Sequence, residues 1–262
     1  MSLGLWSVID IETTGINPAT DEIIDLGFLQ FEGTKLVRKF SSLSRPLNPV
    51  SPYISKLTGI TNDLLKLAPL WDKVEIDLVS LESHALIAHN ARFEESYLKR
   101  YFDKLPTHFP RESFQDSMFY LALLQPEAEA LNLEYFITKL GIAEREEHRG
   151  LSDSVDLLKV MLTLTKLTYG ETEKRMKLKE IMMSFSAEDF WFRNFFLLSQ
   201  DELHDIAFQI DFDLDGVIKN YLEKRRELAT STPKGGGFSL DFSGTNIQKI
   251  LRDERRIQKV LP

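Results

Sequence analysis

The segment Val8-Ile9-Asp10-Ile11-Glu12-Thr13-Thr14-Gly15 constrains this chain more than any other stretch. An apolar, β-branched run carries two carboxylates two residues apart and then meets a turn signal. In a strand, residues i and i+2 face the same side, so Asp10 and Glu12 stand side by side where a buried strand ends. Adjacent carboxylates raise each other's pKa unless a cation lies between them. Hard oxygen ligands at this spacing suit Mg²⁺ or Mn²⁺. The competing reading is a solvated strand end with two acids, and the rest of the chain decides between the two.

Strand patterns cover residues 5–11, 22–32 and 36–45, with a hairpin near Gly33. Helical pieces are expected over residues 51–57, 61–67 and 69–82, with Thr61 as an N-cap. Residues 84–89 read as a short buried strand. Asn90-Ala91-Arg92-Phe93-Glu94-Glu95 then opens a helix that runs to about Phe102. Residues 114–118 read as a fifth strand passing into a helix. Residues 132–140 form an amphipathic helix stopped by Gly141, and Ser152 caps a long helix to about Leu167. Three meandering strands followed by strand–helix alternation predict an α/β layered domain with a mixed sheet over residues 1–170. Residues 171–230 predict a helical extension. Its cluster Phe190, Trp191, Phe192, Phe195 and Phe196 reads as a core rather than a platform for stacking bases. Residues 231–262 read as a flexible Gly-rich linker followed by a charged helix.

Composition narrows the class. Of the 262 residues, 43% are hydrophobic, ample for a core, yet no run approaches 18 apolar residues, so no membrane span is expected. The N-terminus lacks a signal-like design. The absence of cysteine excludes disulfides and thiolate zinc sites. Both points fit a cytoplasmic location. The net charge of −8 lacks the basic surplus usual in a nucleic-acid binder. Four clustered carboxylates neutralised by two divalent cations would nevertheless look acidic on paper and still hold phosphate.

Such a cluster can be assembled. Glu94 and Glu95 begin a helix directly after a strand. Asp153 begins another, and His148 precedes it by five residues. Each lies at an element end, where open α/β sheets place their sites. Two divalent ions held there ~3.5–4 Å apart can grip the attacking and leaving oxygens of a phosphoryl displacement. A histidine, with an unperturbed pKa of ~6.5, can take a proton near neutral pH.

Three motifs stand together in order. Asp10-Ile-Glu12-Thr-Thr-Gly15, Ala88-His-Asn90-Ala-Arg-Phe93-Glu94 and His148-Arg-Gly-Leu-Ser-Asp153 resemble those of the DEDDh exonucleases, the DnaQ-like family that includes the epsilon proofreading subunit of bacterial DNA polymerase III. Leu57-Thr-Gly-Ile-Thr61 is also similar to a segment of that family, and the resemblance covers about Leu5 to Lys166. It implies a ribonuclease H-like fold and hydrolytic release of nucleoside monophosphates from a 3′ end, and single-stranded DNA is the substrate expected here. It implies Asp10, Glu12 and Asp153 as metal ligands and His148 as general base. Thr13, Thr14, Gly15, Ile16, Asn90 and Phe93 would line the terminal-nucleotide pocket. At position 94 the family normally has Asp; the longer Glu94 would weaken the second metal, favour Mn²⁺ over Mg²⁺, or act through water. Glu95 is a poor substitute, because one residue along a helix turns the side chain ~100° away.

Lesser candidates read blandly. Arg149, beside His148, is the best phosphate contact; Arg92, Lys99 and Arg100 fit an exposed helix face equally well. Asp25 and Asp156 read as solvated or capping, Asp116 as a helix cap, and His84, His89, His108 and His204 as structural. Residues 171–262 carry no phosphate loop. Their end resembles the approach to the helicase in DinG-type exonuclease–helicase fusions, which would make a helicase domain a partner missing from this chain. The alternatives are an exoribonuclease trimming RNA 3′ ends, where contacts to the 2′-hydroxyl would decide, and a catalytically inactive domain that binds nucleic acid or protein.

Overall fold

The computed structural model describes residues 3–103, 114–186 and 189–231. The described chain falls into two compact units. The first holds residues 1–116 and 146–158, and the second holds residues 117–145 and 159–262. The expected helix over residues 246–260 lies outside the described residues.

The first unit is built on a mixed five-stranded sheet. β1 (Leu5–Thr13), β2 (Ile23–Glu32) and β3 (Lys35–Leu43) form an antiparallel meander. β4 (Ala85–Ala88) joins β1 in parallel, and β5 (Phe114–Asp116) joins β4 in parallel, giving the order β3-β2-β1-β4-β5. β1, β4 and β5 therefore end at one edge of the sheet. The two faces divide by strand alternation. Ile9 pairs with Phe28 and Ile11 with Leu26. These four join Val74, Leu78, Leu81, Tyr97, Leu98 and Phe102 in one buried cluster. Asp10 pairs with Gly27 and Glu12 with Asp25, and these point to the opposite face.

The helices of this unit start where their caps place them. α1 (Pro52–Thr58) is capped by Ser51 and closed by Gly59, whose φ of +69° is adopted most easily by a residue without a Cβ. α2 (Asn62–Leu67) is capped by Thr61, as its sequence suggests. The helix expected over residues 69–82 is instead α3 (Trp71–Val74) followed by a 3-10 helix, Glu75–Leu81. Side chains three apart share a face in a 3-10 helix, and Leu78 and Leu81 are both buried. α4 (Arg92–Phe102) follows β4, through Asn90 at φ +63°.

The second unit is helical. It contains α5 (Ser117–Leu124), α6 (Leu133–Leu140, capped by Asn132), the later part of α7 (Gly150–Leu167), α8 (Thr172–Ser184), α9 (Phe192–Phe196), α10 (Gln200–Gln209) and α11 (Leu214–Ser231). Phe190, Trp191, Phe192, Phe195 and Phe196 are buried, as a core reading expects. Tyr120 stacks on Phe192 at 4.8 Å and shares a 2.6 Å hydrogen bond with the Thr165 hydroxyl. Among the described residues, no helix is long and apolar enough to cross a membrane.

Candidate active site

The sheet edge where β1, β4 and β5 end gathers the acids. Asp10 and Glu12 lie on one face of β1, and the ladder to β2 slips between Glu12 and Thr13. A slip of this kind re-aims the chain at the end of a strand. Glu94 enters from the first turn of α4 and is only 2% exposed. Glu95, its neighbour, is only partly buried, in line with the turn of the helix. Asp116 ends β5, and its carboxylate accepts the Asn90 amide at 3.1 Å and raises the pKa of Glu94. It also directly precedes α5 (Ser117–Leu124), the position expected of a helix cap.

His148 and Asp153 come from one turn of chain. His148 has φ +53°, a left-handed value that few non-glycine residues adopt. This bend turns the chain into α7. The helix begins at Gly150, three residues earlier than a Ser152 cap implies, so Ser152 lies within it rather than capping it. Asp153 reaches back to accept the backbone N–H of Arg149 at 3.0 Å. Residues five apart thus come together. One ligand atom each from Glu12, His148 and Asp153 lie within 4.8 Å of one another, a group able to hold a metal ion. His148 is therefore a candidate ligand as well as a candidate base.

Asp10 and Glu94 stand outside that tight trio but within its field. Burial raises the Asp10 pKa most, followed by the charges of Glu94, Asp153, Glu12 and Glu146. Burial is also the main cause for Glu12, pushed up to about 8 from 4.5, with Asp153, Asp25 and Glu146 adding to it and Arg149 opposing it. Burial and then Glu146 push Asp153 up to about 7 from 3.8. Glu94 is raised chiefly by burial, and further by Asp116 and Glu12. Asp10 Oδ2, Glu94 Oε2 and Asp153 Oδ1 are buried and accept no hydrogen bond. Anionic oxygens left so are tolerable only if protonated or bound to a cation. The donor set is all oxygen apart from one imidazole, which suits Mg²⁺ or Mn²⁺. The residues present therefore fit a divalent metal.

Glu146 is the acid that sequence reasoning missed. Its Oε1 lies 4.0 Å from His148 Nδ1, and its charge reaches Asp10, Glu12 and Asp153. Its only signal was membership of the charged run Glu144-Arg145-Glu146-Glu147. Asp25 and Asp156 are buried rather than solvated. Asp25 accepts Arg149 Nε–H at 2.7 Å and the Gly150 N–H, at the start of α7, at 3.4 Å. Arg149, expected at a phosphate, thus spends one donor inside the protein. Arg100 bonds the Pro18 carbonyl at 3.3 Å. His84 is a core residue bonded to Ser7 at 2.8 Å, whereas His108 lies outside the described residues.

The turn after β1 is also ordered. The Thr13 hydroxyl and the Tyr97 hydroxyl (2.8 Å) both donate to the Gly15 carbonyl. Thr14 N–H bonds the Glu22 carbonyl at 2.9 Å. Ile16 is 89% exposed beside this frame, and Phe93 packs on Tyr97 with ring centres 5.1 Å apart.

Comparison with known proteins gives the family of this chain. The pattern of the exonuclease family matches residues 7–161. The chain is 32% identical over 150 residues to a PolC-type DNA polymerase III of Bacillus cereus, covering 57% of this chain and 10% of that protein. It is 26% identical over 163 residues to the 3′-5′ exonuclease DinG of Staphylococcus epidermidis, covering 62% of this chain and 18% of that protein. The chain thus spans less than a fifth of the length of these curated relatives. The structure of E. coli Exonuclease I in complex with a dA16 oligonucleotide superposes with a TM-score of 0.54 at 17% identity, over 69% of this chain and 43% of that one, a likeness of fold.

Proposed function

Because the chain belongs to the exonuclease family matched over residues 7–161, we propose that it hydrolyses single-stranded DNA from the 3′ end, one nucleoside monophosphate at a time. The observation that carries this reading is the meeting of Glu12, His148 and Asp153 beside Asp10 and Glu94, with three buried carboxylate oxygens left without hydrogen-bond partners. The PolC-type and DinG relatives support action on DNA 3′ ends.

In this reading Asp10, Glu12, Glu94 and Asp153 hold two divalent cations, Mg²⁺ or Mn²⁺. When bound, such ions supply Lewis-acid stabilisation to the attacking and leaving oxygens. Thr13, Thr14, Gly15, Ile16, Asn90 and Phe93 receive the terminal nucleotide. Ile16, open to solvent, offers its apolar side chain to a base. His148 takes a proton from the attacking water. The water oxygen bonds to the last phosphorus, the bond from that phosphorus to the preceding 3′-oxygen breaks, and this oxygen leaves as a hydroxyl after gaining a proton. The buried carboxylates hold the scissile phosphate only when cations offset their charge.

The test uses 5′-labelled DNA and RNA oligomers with Mg²⁺ or Mn²⁺. Wild-type protein should produce a ladder growing from the 3′ end of DNA, and Asp10→Ala should produce none. Equal ladders from both proteins would defeat the reading. A faster ladder on RNA would move the substrate to RNA on the same site.

A further inference from the structure

One ion pair beside the site, its carboxylate buried and its guanidinium half-exposed, has no part in the chemistry above. Asp25 lies on β2 directly opposite Glu12, and its side chain is 1% exposed. Its Oδ2 accepts Arg149 Nε–H at 2.7 Å and the Gly150 N–H at 3.4 Å. Arg149 directly follows His148, whose backbone is left-handed. The Arg149 main chain is tied as well, since its N–H bonds Asp153 Oδ2 at 3.0 Å. Arg149 therefore joins three things: the sheet through its side chain, the last acid through its amide, and the imidazole through the peptide bond.

A second contact already holds the start of α7 to the sheet. A Cβ on Gly27 would lie 1.9 Å from Leu151 N, and one on Gly150 would lie 2.6 Å from Gly27 N, so the two backbones touch. The Ser154 hydroxyl bonds the Gly27 carbonyl at 3.3 Å. Adhesion of the helix thus does not require the ion pair, and a pair with one partner open to solvent adds little to stability. The close backbone contact lies at residues 150–151 and leaves the orientation of the His148 turn to the Arg149 bonds. A planar guanidinium bonded through Nε to a fixed carboxylate sets that orientation.

We propose that Asp25 and Arg149 are the positioning pair of this site, holding the His148 turn so that the imidazole and the Asp153 carboxylate meet Glu12. Arg149 then acts through its neighbours and is not a phosphate contact. This rests on the exonuclease reading of the site.

The test is steady-state cleavage of a single-stranded DNA oligomer in saturating Mn²⁺ by wild type, Asp25→Asn, Arg149→Met and the double variant, with thermal unfolding of each. Small displacements of a reacting group cost rate steeply. Each single variant should lose about tenfold or more in kcat with KM within about twofold. The double variant should be no slower than the slower single, because the two residues act as one unit. Arg149→Lys keeps a charge that binds phosphate but loses the planar fork, so it should fail like Arg149→Met, and it serves alone if the other variants do not fold. A rise in KM with kcat preserved in Arg149→Met, rescue by Arg149→Lys, or multiplying losses in the double variant would each overturn the proposal. No ladder from wild type would overturn the exonuclease reading and this proposal together, whereas a normal wild-type ladder with independent losses removes the pair alone.

Discussion

At the scale of the residue, position 94 is where this chain departs from the sequence pattern it resembles. Glu94 is buried, and one of its carboxylate oxygens accepts no hydrogen bond. Mg²⁺ demands a tight octahedron with bonds of ~2.0–2.1 Å, and one added methylene disturbs it more than it disturbs a tolerant ion. We expect cleavage by wild type to be faster in Mn²⁺ than in Mg²⁺, and Glu94→Asp to narrow that ratio; initial rates in the two metals check this. Glu94→Gln should abolish cleavage yet raise the unfolding temperature of the metal-free protein at pH 8, because it removes a carboxyl whose ionisation is opposed by burial and by Asp116. Calorimetry without and with chelator measures that opposition. The carboxylates and the imidazole were readable from sequence because their types and spacing are chemically unusual. Glu146 and Asp25 were not, because each carries an acid no different from many solvated ones, and only the folded chain shows what they face.

At the scale of the element, the start of α7 is seated on the sheet through glycine. Gly27 lies opposite Asp10 on the face where the helix arrives, and its missing Cβ is the space the helix backbone occupies. Gly27→Ala would set a methyl 1.9 Å from Leu151 N and 2.1 Å from Gly150 C, backbone atoms that cannot swing aside. A loss of about 3 kcal/mol in urea unfolding is expected, together with weaker Mn²⁺ binding by titration, since Asp153 and His148 move with the helix. Strand periodicity and capping residues revealed β1 to β5, α2, α4 and α6, where local rules and tertiary packing agree. They misjudged the start of α7 and the 3-10 turn at residues 75–81. There the deciding contacts are a backbone approach across 123 residues of chain, between Gly27 and Gly150, and a buried pair three apart, Leu78 and Leu81. Neither leaves a local signature.

At the scale of the whole molecule, the site sets how stability depends on pH. Glu12 and Asp153 have folded-state values of about 8 and about 7, above their ordinary 4.5 and 3.8. An acid raised on folding stabilises the fold below its unfolded value and loses that contribution as pH rises through its folded value. The metal-free protein should therefore unfold at progressively lower temperature between about pH 4 and pH 8. A divalent cation binds the ionised form, so the rise in unfolding temperature on adding Mn²⁺ should be larger at pH 8 than at pH 5. Scanning calorimetry at both pH values, with Mn²⁺ or with chelator, tests both statements. A flat pH profile without metal would mean that neither burial nor crowding raises these carboxyls.

The two units alternate along the chain, with residues 146–158 returning to the unit begun by residues 1–116. On a ribosome, Asp10, Glu12 and Glu94 emerge well ahead of His148 and Asp153. At ordinary elongation rates the delay is on the order of ten seconds. A polypeptide released between residues 94 and 146 would carry three of the acids but neither the imidazole nor the helix that brings the fourth. Abortive translation products of this protein should thus be unable to degrade the nucleic acid of the cell that makes them.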